Sequence, residues 1–168
     1  MSSGRRLSWA LVGLAMVVAQ PAAAYVLERT DSGVVITWPQ TCVEWWMQLD
    51  GSSDVGAAAS AAALQASFDR WDYLDDHFVD FWRRGATCTD SIGFPGDGGQ
   101  QNVVMWRDDL WPYAERVVGL TSLSFEPDTG YLADADVELN GADYQFAVDG
   151  SPSDYDLQHA LTHEIGHV

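Results

Sequence analysis

The chain has 168 residues, of which 47% are hydrophobic and 8 are tryptophan. That suits one globular domain with a real core and excludes a disordered tail. It carries 25 acidic against 8 basic residues, none of them lysine, for a net charge of −17. Such a surface repels nucleic acid and anionic membranes, so both are discounted as partners, and it attracts cations, Ca²⁺ among them, through carboxylate oxygens.

Residues 1–24 read as an export signal. Arg5 and Arg6 form a positive start, Trp9 to Ala19 a short apolar run, and Ala22-Ala23-Ala24 a small-residue cleavage site that leaves Tyr25 first. The run is too short to span a membrane. A secreted, extracellular protein is expected, with no membrane association after cleavage. Removing Arg5 and Arg6 leaves 6 basic against 25 acidic residues, a net charge of −19. In an oxidising compartment one disulfide between Cys42 and Cys88 is the simplest outcome.

Val34–Trp38 and Val43–Leu49 are rich in β-branched and aromatic residues and predict two short strands, or one broken at Pro39. Ser52, Ser53 and Asp54 are cap candidates for a helix that begins in the alanines after Gly56. Leu64, Phe68, Trp71, Phe78 and Trp82 continue at near-helical spacing, predicting one long amphipathic helix with a bend or break near its end. His77 sits in it alone, as a surface or core residue.

Gly93–Gly99 reads as a loop and Val103–Trp106 as a short strand. Val117–Phe125 and Tyr131–Leu139 flank the turn Pro127-Asp128-Thr129-Gly130 and predict a hairpin. In its second strand Asp134, Asp136, Glu138 and Asn140 alternate with Ala135, Val137 and Leu139 and share one face. They form either an ordinary polar outer face or part of a Ca²⁺ site. Asp154 or Asp156 caps a last helix carrying Leu157, Leu161, Ile165 and Val168 on one side.

That helix holds His163-Glu164-Ile165-Gly166-His167, a match to H-E-x-x-H. Residues four apart share a helix face, so His163 and His167 can grip one zinc ion. Glu164 follows the first ligand and can act as general base on a water whose pKa the metal lowers. His159 lies one turn earlier. Three successive turns span about 12 Å, too far for one tetrahedral ion, and no acid follows His159, so it is read as a supporting or surface residue.

With these residues in place the chain resembles the matrixin branch of the metzincins, in its small bacterial secreted form. The resemblance rests on Leu132–Phe146 (LADADVELNGADYQF), on Asp156–Val168 (DLQHALTHEIGHV) and on Trp38–Cys42 (WPQTC) ahead of the long helix. It implies an α+β fold, a twisted mixed sheet packed against a long helix and an active-site helix, with zinc on the cleft floor. It also implies an edge strand that pairs with extended protein or peptide substrate. Residues 25–168 would be the N-terminal part of a metallopeptidase catalytic domain, with His163 and His167 as zinc ligands and Glu164 as catalytic base. The family's third histidine would fall past Val168, so the chain as written is expected to bind zinc weakly and to be inactive. Two other readings stay open: a non-catalytic acidic module that binds cations or a protein, and a zinc peptidase of another clan.

Overall fold

A computed structural model describes residues 27–73, 79–94, 101–151 and 154–168. The export signal and His77 lie outside the described residues. The fold is mixed α/β, with a five-stranded mixed sheet and two helices. In chain order the elements are β1 (Cys42–Gln48), α1 (Gly56–Asp72), β2 (Asp80–Thr87), β3 (Asn102–Trp106), β4 (Gly119–Phe125), β5 (Leu132–Leu139), β6 (Phe146–Ala147), β7 (Tyr155–Asp156) and α2 (Leu157–Ile165).

The main sheet runs β2-β1-β3-β5-β4. β1 pairs parallel with both β2 and β3, and β3 pairs parallel with β5. β4 closes the edge antiparallel to β5, as the Pro127–Gly130 turn between them predicts. β6 and β7 form a small parallel pair just ahead of α2.

Both helices lie on one face of the sheet. Trp45, Met47, Val104, Trp106, Val137 and Leu139 of the strands meet Leu64 and Phe68 of α1 and Leu157, Leu161 and Ile165 of α2 in one buried cluster. Burying each such side chain contributes about 1.5–3 kcal/mol. Two side chains of α1 bond to the backbone of α2. Ser67 Oγ donates to the Gln158 carbonyl at 3.1 Å, and Trp71 Nε1 to the Thr162 carbonyl at 3.0 Å. These bonds set where the histidine-bearing helix sits.

Several expectations are corrected. The long helix ends at Asp72, and Trp82 belongs to β2. The apolar spacing continues past Asp72, but parallel pairing with β1 gives the segment a ladder that a helix would forgo. Val55, not Ser52, Ser53 or Asp54, is the N-cap of α1, and no side chain caps it. Ser52 instead donates its N–H to Ser60 Oγ at 3.0 Å. The first predicted strand, Val34–Trp38, makes only isolated bridges, Arg29 with Val35 and Thr37 with Tyr131, because a turn at Gly33 folds it back on itself.

The disulfide is also overturned. Cys42 and Cys88 are free and exposed. The parallel register sets Cys42 opposite Asp80 and Gln48 opposite Thr87, so the two cysteines stand at opposite ends of the strand pair. At about 3.3 Å per residue that is roughly 20 Å, against the roughly 7 Å limit for a disulfide. Both thiols should therefore be alkylated in the folded protein. Mass spectrometry of unreduced peptides should find no Cys42–Cys88 link, and its presence would contradict this register.

Candidate metal centre

Asp156 is the N-cap of α2. Its side chain accepts from the His159 N–H at 2.7 Å, which answers the choice between Asp154 and Asp156. Leu157, Leu161 and Ile165 turn inward, and His159 and His163 are exposed on the outer side. The helix ends at Ile165, so His167 stands just beyond it in a tight final turn, its N–H bonded to the Glu164 carbonyl at 3.0 Å. The His163 and His167 rings still approach, with centroids 5.1 Å apart and planes at 84°.

This end of α2 is held in place by two tryptophans. Trp38 Nε1 donates to the Val168 carbonyl at 2.8 Å. The Trp71 ring lies so close to Gly166 that a Cβ there would come within 2.6 Å of it. Backbone satisfaction and packing thus fix the second histidine.

Glu164 is buried, at 7% exposure. Thr121 of β4 donates its hydroxyl toward Glu164 Oε2 and toward the Glu164 carbonyl, each at 2.9 Å. A Cβ on Gly119 would sit 2.8 Å from Glu164 Oε1, so glycine makes room for the carboxylate. The sequence reads both residues as parts of a hairpin strand. Nothing local marks them as neighbours of Glu164, because the contact exists only once β4 meets α2.

A cleft of about 480 Å³ opens over these groups. His163, Glu164 and His167 line it together with Thr121, Leu123 and Phe125 of β4 and with Glu28, Arg29 and Ile36 of the N-terminal hairpin. The hairpin residues form a charged wall that no motif announces. His159 is not among the lining residues.

Two imidazoles on one side of a helix end, beside a carboxylate at the base of a cleft, suit a zinc ion as donors. Among the described residues no group of three His, Cys, Asp or Glu side chains could hold an ion.

The alternating acids of β5 behave differently from a polar outer face. Asp134, Asp136, Glu138 and Asn140 are all at most 1% exposed. They face away from the helices, beneath the connections that follow β2 and β3. Asp136 accepts from the N–H groups of Gly93 at 2.6 Å and Val103 at 2.9 Å. Glu138 accepts from Arg107 Nε and from the Tyr113 hydroxyl, both at 2.6 Å, and this bond pushes Tyr113 up to about 12. Asn140 donates to Asp143 and to the Val117 carbonyl. Protein donors therefore occupy carboxylate oxygens that a Ca²⁺ site would need. Asp134 differs, since among the described residues no N–H donor reaches its oxygens and the group beside it is the Asp136 carboxyl.

No protein-family model and no curated protein matches the chain.

Proposed function

We propose that this chain is a secreted zinc-dependent endopeptidase of the matrixin-like metzincin type, with His163 and His167 as zinc ligands and Glu164 as general base. The observation that carries the reading is the convergence of the two rings and the buried Glu164 carboxylate in one cleft beside the edge strand β4. The mixed sheet with both helices on one face is compatible with the architecture the resemblance implies. A bound zinc ion supplies a polarised scissile carbonyl and a water of lowered pKa.

The chain's own groups do the rest. The outer ladder of β4 aligns an extended peptide as an added strand. Glu164 takes the proton of the attacking water on its carboxylate and passes it to the leaving amine nitrogen. His163 and His167 hold the metal beside that carboxylate. The remaining ligand comes from outside the described residues.

Zinc titration of the full-length gene product tests the ligand assignment. Stoichiometric binding is expected, and His163→Ala and His167→Ala should each weaken it at least about 100-fold, since even residues behind the ligands cost 10–100-fold. Unchanged affinity in either variant would remove that residue from the set. Tight zinc binding without hydrolysis of any peptide would favour the acidic cation-binding module instead.

A further inference from the structure

Thr121 makes a bond that docking α2 on β4 does not require. Its hydroxyl has a single proton and faces two acceptors of one residue, the Glu164 carbonyl and Glu164 Oε2, each at 2.9 Å. The carbonyl bond alone would tie strand to helix end. The carboxylate bond acts on a side chain with three torsions, which otherwise moves among several rotamers.

Gly119 stands two residues earlier on the same face of β4. A Cβ there would lie 2.8 Å from Oε1 and 2.9 Å from both Cδ and Cγ of Glu164. One strand thus provides a donor for one carboxylate oxygen and an empty place for the other. Glu164 is 7% exposed, so little water competes for the hydroxyl.

We propose that Thr121 is a positioning residue for Glu164: its hydroxyl fixes the carboxylate in one orientation and leaves Oε1 as the oxygen that receives the proton. The inference rests on the endopeptidase reading and adds to it a requirement on β4. Proton transfer falls steeply when the base is misplaced, and about 1 Å can cost about 100-fold. A hydroxyl at position 121 therefore affects turnover more than substrate binding.

The test uses the full-length gene product, zinc-loaded, and a quenched fluorescent peptide that the unmodified protein cleaves. Thr121→Val should lower kcat about 10–100-fold with KM and zinc affinity unchanged. Thr121→Ser keeps the hydroxyl and should return kcat to within about threefold of the starting value. A second readout needs neither zinc nor turnover. With ¹³C-labelled glutamate, the Glu164 carboxylate stretch, identified by its absence in Glu164→Gln, should shift in Thr121→Val and stay in place in Thr121→Ser. An unchanged kcat in the valine variant, a loss confined to KM, or an unshifted band would overturn the proposal. Failure of the unmodified protein to cleave any peptide would overturn the endopeptidase reading, and the infrared band would still decide whether Thr121 holds the carboxylate.

Discussion

Replacing Glu164 with glutamine is expected to lower kcat/KM for peptide hydrolysis by about 100- to 10,000-fold, the usual contribution of a positioned general base. Glutamine has the same shape and keeps an amide oxygen that can accept the Thr121 hydroxyl now bound by Oε2. It fills the same space against Gly119. It cannot take up a proton at neutral pH. The substitution therefore removes a carboxylate able to accept a proton and leaves the packing and both histidines in place, and zinc affinity should change by no more than a few fold. Steady-state kinetics and a zinc titration on the same preparation check both statements. A loss below tenfold would take the base's role away from Glu164.

The second large effect concerns stability. Asp134 and Asp136 stand two residues apart on one face of β5, each about 1% exposed. Asp136 has two N–H donors that favour its charge, and burial still pushes it upward. Asp134 has none, and burial, with the neighbouring Asp136 charge, raises it from 3.8 to about 7. The other ionisable group on this face of β5 is Glu138, which Arg107 and Tyr113 already hold. The residues paired with Asp134 and Asp136 on β4 are Ser124 and Ser122.

The folded state thus keeps a proton on Asp134 that the unfolded chain releases near 3.8. Its stabilisation is complete below that value and is lost as pH rises toward about 7. Asp134→Asn keeps the shape, offers an amide donor to Asp136 and cannot ionise. Urea denaturation at pH 5.5 and 8.5 should show the parent losing stability across the interval and the variant losing much less. Parallel pH dependence in the two proteins would show that Asp134 is not the group responsible.

The features legible in the sequence are those whose cause is local. The β4–β5 hairpin follows from two strand-like runs around a proline–glycine turn. α2 follows from a capping aspartate and inward leucines, and H-E-x-x-H carries its own spacing. β2 was hidden for the opposite reason. Its Trp82 extends the helical rhythm of Leu64, Phe68 and Trp71, and only pairing with a strand far back in the chain makes the segment extended. The acids of β5 alternate as the polar face of a half-buried strand would. Nothing near them in sequence says that Gly93, Val103, Arg107 and Tyr113 will come across and cover them. Thr121 and Gly119 were invisible as site residues for the same reason, since strand and helix meet only in three dimensions.

The bulge in the β1–β2 pairing has a consequence for how molecules meet one another. Trp45 stands opposite Arg83 and Trp46 opposite Gly85, so Arg84 is the extra residue, and Gly85 takes a φ of 146° that other residues rarely adopt. Arg84 pairs there with Glu44. A kinked, charged margin is a poor template for a neighbouring strand, because the kink breaks the regular row of N–H and C=O groups and the charges resist burial. At the far side of the sheet β4 follows β5 with its one register shift at Ser124/Phe125, near the end away from Glu164. Concentrated solutions of the protein should therefore resist stacking through the β2 side, which leaves β4 as the more regular of the two sheet margins.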